Sequence, residues 1–135
     1  MNYDCEAIYF EEGQIHLVTK SRQKPWEGMA YIYPLPTIMG KYIVEKEDSI
    51  FIGNRGWMKD CVTGIDFYKG NRVILTYNRI IQQNIAHLGD KKRIHHFRRY
   101  SQKEAIVQLN DTTIYVANEK KRFLGGPYLI KIRLK

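Results

Sequence analysis

The chain has 135 residues, enough for one domain with its own core. Its 44 % hydrophobic share and ten tyrosines exclude a disordered or collagen-like chain. The formal charge of +8 favours acidic partners, while no apolar run is long enough for a membrane helix and no secretory leader pattern opens the sequence, so the sequence as given predicts a soluble, cytoplasmic chain.

Short β-rich runs separated by Gly, Asn, Asp and Pro follow one another. Cys5 to Phe10 turns at Glu11-Glu12-Gly13 into Gln14 to Lys20. A loop with Pro25, Trp26 and Gly28 leads to Met29 to Tyr33, closed by Pro34 and Pro36. Lys41 to Val44 is the weakest run, and Ser49 to Gly53 follows. After a loop with Trp57, Cys61 to Tyr68 turns at Lys69-Gly70-Asn71 into Arg72 to Tyr77. Asn78 to Leu88 has some helical spacing but no good cap, and reads as loop plus strand near Ala86. Arg93 to Arg99 comes next. Glu104 to Leu109 then turns at Asn110-Asp111 into Thr113 to Asn118, and Gly125-Gly126-Pro127 leads to Tyr128 to Leu134. The expected class is all-β.

Three of these hairpins are alike. Glu6-Ala7-Ile8, Thr63-Gly64-Ile65 and Glu104-Ala105-Ile106 each begin a strand, and each hairpin's second strand is aliphatic with a polar end. The spacing brackets the forty to fifty residues of a β-propeller blade. The expected architecture is a partial β-propeller of three four-stranded blades, over about 1–57, 58–101 and 102–135, with the last blade short of its outer strand. A small β-barrel or sandwich is the alternative.

Asp4-Cys5-Glu6-Ala7-Ile8, Leu17-Val18-Thr19-Lys20 and Tyr33-Pro34-Leu35-Pro36 resemble one blade of bacterial, Bacteroidetes-type propeller repeat proteins. Val62 to Asp66 with Leu75-Thr76-Tyr77 resembles the next blade. Gln102-Lys103-Glu104-Ala105-Ile106 with Asn118-Glu119 resembles the one after. In style the repeats are similar to esterase-like phytase and SdiA-regulated propellers. The resemblance implies a propeller fold and leaves activity open. The departure is length, because those relatives carry further blades before the first unit.

In an antiparallel hairpin the start of the first strand and the end of the second reach the same edge. In a propeller that edge is the channel mouth. This gathers Asp4, Glu6 and Lys20 from the first unit, Thr63, Asp66 and Tyr77 from the second, and Glu104, Asn118 and Glu119 from the third. Glu6, Glu104 and Glu119 are the candidate metal ligands, and clustered carboxylates are the donor type that Ca²⁺ takes. The bland reading of the same residues is a structural ion-pair network. Lys91, Lys92, Arg93, Arg98 and Arg99 form the densest basic run, either an anion-binding patch or the charged face of an edge strand. His16 reads as a packed core residue. His95 and His96 are adjacent and point to opposite faces. Cys5 and Cys61 have no metal spacing and read as two buried free thiols.

Three functions compete. The leading one is a binding module whose carboxylate-rich mouth takes a ligand, cation or partner. A metal-assisted phosphoester or ester hydrolase of phytase-like or lactonase-like type uses the same residues. A basic β-barrel binding single-stranded nucleic acid ranks last, because the charge is dispersed. Three blades are too few to close a ring, so the expected partner is a second copy, giving a six-bladed ring, or another chain that supplies the missing blades.

Overall fold

The computed structural model describes residues 4–20, 22, 24–87, 89, 91–98, 101–120 and 127–134. Eleven strands and one helical turn follow in order. β1 (Asp4–Glu11), β2 (Gln14–Lys20), β3 (Met29–Pro36) and β4 (Asp48–Phe51) form the first sheet. A single turn, α1 (Trp57–Asp60), leads to β5 (Val62–Tyr68), β6 (Asn71–Thr76), β7 (Arg79–Asn84) and β8 (Arg93–His96) in the second. β9 (Lys103–Asn110), β10 (Thr113–Asn118) and β11 (Tyr128–Arg133) form the third. Each sheet is an antiparallel meander in which every strand pairs with its sequence neighbour.

Local chemistry sets the hairpins. In the first two tight turns both central residues are left-handed: Glu12 (φ 48°) with Gly13 (φ 82°), and Lys69 (φ 46°) with Gly70 (φ 74°). Such two-residue turns match the twist of the flanking strands. The third hairpin has no glycine. There the Asn110 side chain accepts hydrogen bonds from the Thr112 amide (3.0 Å) and hydroxyl (3.1 Å), and the register slips past Leu109 to fit the turn.

The first strands of the three sheets lie side by side, with β5 packed against β1 and also against β9. The second sheet is therefore covered on both faces. Its alternating residues feed two cores: Ile65, Ile74 and Ile81 join Ala7, Val18, Ile32 and Ile50, whereas Val73, Leu75 and Ile80 join Ile106, Ile114 and Val116. This explains the unbroken apolar run Val73-Ile74-Leu75, since a strand buried on both faces has no polar side to alternate with. Each of the Ile, Val and Leu side chains contributes about 1.5–3 kcal/mol by leaving water.

The all-β class holds, and several local expectations change. The third strand of the second sheet is Arg79–Asn84, directly after β6 and upstream of Ala86. Thr76 makes this possible, because its hydroxyl accepts from the Asn78 and Arg79 amides and closes the turn. Residues 41–47 form no strand, and residues 57–60 are helical. Cys61 is buried, but Cys5 is exposed, contrary to the expected pair of buried thiols. His16 is buried and stacks on Tyr9 at 4.7 Å between ring centroids. Trp26 anchors its loop by donating to the Gly53 carbonyl at 3.0 Å. Leu88, Arg99 and the Gly125-Gly126 turn lie outside the described residues.

Candidate functional site

Besides the shift past Leu109 at the third turn, the first ladder of each sheet breaks near the start of its first strand, at equivalent positions in the three hairpins. In the first, Cys5 pairs with Thr19 and Ala7 with Val18, which leaves Glu6 as the extra residue. In the second, Val62 pairs with Thr76 and Gly64 with Leu75, leaving Thr63. In the third, Lys103 pairs with Asn118 and Ala105 with Ala117, leaving Glu104. A bulge leaves one residue unpaired and re-aims its side chain. The three bulged residues are those that open the sequence repeat.

Two of the three bulges aim a carboxylate at one open pocket of about 590 Å³. Glu6, Lys20, Arg22, Tyr77, Glu104 and Glu119 line it, with Gln102 and Asn118 beside them. Lys20, Tyr77 and Glu119 hold the equivalent position at the end of the second strand's run in their respective units, so all three sheets contribute. The Lys20 ammonium donates to Glu6 and lies 5.2 Å from the centre of the Tyr77 ring. Burial pulls the Lys20 pKa down, but the hydrogen bonds to Glu6 and Tyr77 outweigh it and hold the value above the ordinary one. Arg22 adds looser pairs, 3.5 Å to Glu6 and 3.9 Å to Asp4.

Glu104 differs from Glu6. Burial pushes its carboxyl pKa up and the Glu6 and Glu119 charges push the same way, against the attraction of Lys20. Glu6 is closely paired, whereas Glu104 sits among other carboxylates.

The structure sorts the expected site residues. Glu6, Lys20, Tyr77, Glu104, Asn118 and Glu119 meet at the pocket, and Asp4 is tied to its rim through Arg22. Thr63 is fully buried at its bulge, with no hydrogen-bond partner for its hydroxyl among the described residues. Asp66 is elsewhere: it accepts from the Gln108 amide at 2.7 Å and ties β5 to β9. The reason is parity, because Asp66 lies three residues beyond the bulge and its side chain turns to the third sheet. Among the described residues no three His, Cys, Asp or Glu side chains are grouped to hold a metal ion. Glu6, Glu104 and Glu119 therefore share a pocket without forming a ligand set.

The basic run is also divided. On β8 every residue from Arg93 to His96 is exposed, as an edge strand's charged face would be. Lys92 donates to the Phe51 carbonyl at 2.9 Å, which commits it to a structural bond. Lys91 and Arg93 line a separate pocket of about 470 Å³ with Lys69, whose ammonium is paired to Asp111 at 2.9 Å. Arg98 is exposed, and Arg99 lies outside the described residues.

Two buried polar groups were not legible beforehand. Asp60 is fully buried and accepts from the Arg55 amide (2.7 Å), the Arg55 guanidinium (2.8 Å) and the Arg79 guanidinium (2.9 Å), which fixes the 52–60 segment over the second sheet. Lys103 is 1 % exposed and donates to the Tyr77 carbonyl (3.0 Å) and the Ser101 hydroxyl (2.8 Å), over the Phe97 ring at 4.2 Å. Burial pulls its pKa down to about 8. The one sequence signal for Lys103 was its place directly before a bulged residue.

In comparisons with known proteins, no family model matches the chain and no curated protein is significantly similar to it.

Proposed function

We propose that the chain is a propeller-type binding module whose mouth takes an organic cation of the ammonium type. The observation that carries this is the pair of equivalent bulges aiming Glu6 and Glu104 into one pocket, with Glu119 beside them. Lys20 and Arg22 are directed at Glu6. Glu104 and Glu119 are left as mutually repelling carboxylates, and a bound cation relieves that repulsion. The propeller reading rests on three meanders whose first strands lie together, with the repeat's polar ends at one mouth.

The test is thermal unfolding with and without millimolar CaCl₂ or putrescine. A chain of charge +8 repels cations in general, so stabilisation reports a local negative site. Saturation to a hundred times the dissociation constant adds about 2.7 kcal/mol. Glu104→Gln removes the gain, while Glu12→Gln in the distant turn leaves it. No gain from putrescine in the unaltered protein refutes the reading, with CaCl₂ as the comparison for a cation that the pocket has no ligand set to hold among the described residues.

A further inference from the structure

The inner interfaces of this protein are alike, and two faces of the same kind are exposed among the described residues. In each first strand, one set of alternate residues faces the preceding sheet and the other faces the following one. Ile65 and Phe67 pack toward the first sheet, and Ile106 and Gln108 toward the second. Their equivalents in the first sheet are Ile8 and Phe10, which no sheet covers among the described residues and which are 60 % and 61 % exposed. In the other direction Ala7 and Tyr9 are buried against the second sheet, and Gly64 and Asp66 face the third. Their equivalents in the third sheet are Ala105 and Val107, and Val107 is 48 % exposed.

A small residue at the Ala7, Gly64 and Ala105 position has a physical purpose. A Cβ added to Gly64 would stand 3.4 Å from the Ala105 Cα and from the Ile106 amide nitrogen, so the first strands of successive sheets touch there. Ala105 repeats that feature on a face that no further sheet covers among the described residues. Thus one end of the chain carries the large-residue half of the internal interface, and the other end carries the small-residue half.

Charge agrees with this division. Residues 1–52 hold eight Asp and Glu against five Lys and Arg, whereas residues 101–135 hold three against seven. The acidic end and the basic end attract, although the whole chain is basic.

We infer that the occupant of both faces is a second copy of this chain, bound head to tail at each end in a closed two-fold ring. The Ile8 and Phe10 face of one copy sits on the Ala105 and Val107 face of the other, and the reverse contact closes the ring. This assembly rests on the propeller reading above, and it places two copies of the Glu6, Glu104 and Glu119 mouth around one axis. A ring hides both apolar faces, whereas one such contact alone leaves two open and builds filaments.

Complementation tests the inference. Sedimentation equilibrium of the unaltered protein gives twice the 16.0 kDa chain mass. Ile8→Arg sets a cation against the basic end, and Val107→Glu sets an anion against the acidic end. Both positions are exposed within one copy, so each variant keeps its circular dichroism yet sediments as a monomer, with a dissociation constant at least tenfold higher. Mixed in equal amounts the two variants form a dimer again, because one contact brings Arg and Glu together and the other is unaltered. A monomeric or open-ended unaltered protein, variants that stay dimeric, or a mixture that stays monomeric overturns the inference. A monomer still stabilised by putrescine overturns the assembly alone; a dimer without that stabilisation overturns the binding reading alone.

Discussion

Lys103 makes stability rise with pH over a window where most proteins lose it. Its ammonium is buried, and its pKa in the folded chain is about 8, against 10.5 unperturbed. Between those values the unfolded chain binds more protons than the folded one, so unfolding becomes harder as pH rises. Below pH 8 both states are protonated and the cost of burying the charge is constant. From pH 7 to 9.5 the two pKa values give a gain of about 2 kcal/mol, an upper bound set by how far Tyr77 and Ser101 solvate the ammonium. The effect is read as a difference between two proteins, so that contributions common to both cancel. Urea unfolding of the unaltered protein and of Lys103→Met at pH 7, 8, 9 and 9.5 isolates it. The expected result is a stability difference that moves in favour of the unaltered protein as pH rises. A difference that stays level across this range refutes the reasoning, and one that moves the other way shows Lys103 held in its charged form.

Asp60→Ala leaves the Arg79 guanidinium buried without its carboxylate and costs about 3–5 kcal/mol in urea unfolding, whereas an equal loss from Glu12→Ala would show the burial argument to be misplaced. Glu6→Ala strands the buried Lys20 and destabilises far more than the under about 1 kcal/mol of an exposed turn charge such as Glu12, checked by the same unfolding curves. Gly28→Ala puts a Cβ 2.0 Å from the Gly53 carbonyl oxygen at a φ of +71°, so a melting temperature within a degree of the unaltered protein would contradict the packing of that loop.

Strand positions were legible where a strand has one wet face or a glycine turn. β1 and β9 alternate, Gly13 marks the turn after β1, and Gly70 marks the turn after β5. β7 was misplaced downstream because the turn before it uses no glycine or proline: Thr76 closes it with its hydroxyl, an interaction that leaves no periodic trace. α1 was missed because four residues give no periodicity to read. Six of the nine expected mouth residues line the pocket, because hairpin register alone decides which strand ends meet. Asp66 failed for a related reason. The bulge at Thr63 shifts parity by one, and a single inserted residue exchanges the faces of everything after it. Asp60 and Lys103 were hidden because isolated charges in a basic sequence read as solvated until their partners, distant along the chain, are known.

The bulges also explain why the three hairpins are alike in backbone and differ in chemistry. The flanking residues must be small and then aliphatic, Ala7-Ile8, Gly64-Ile65 and Ala105-Ile106, since one meets the next sheet's first strand and the other enters the preceding interface. The bulged residue itself is released from the ladder, so its identity is free to follow its surroundings. Where the mouth is open it is Glu6 or Glu104, partly buried beside Lys20. In the central sheet, covered on both faces, it is Thr63, small enough to be fully buried. A carboxylate at position 63 would be enclosed where the Thr63 hydroxyl has no hydrogen-bond partner among the described residues, at a desolvation cost of several kcal/mol. Thr63→Glu is therefore expected to unfold the protein or to draw Lys20 away from Glu6, and Thr63→Val to be tolerated. Unfolding free energies of the two variants separate these outcomes, and a stable Thr63→Glu protein with unchanged cation binding would show that the central bulge opens to the mouth as the outer two do.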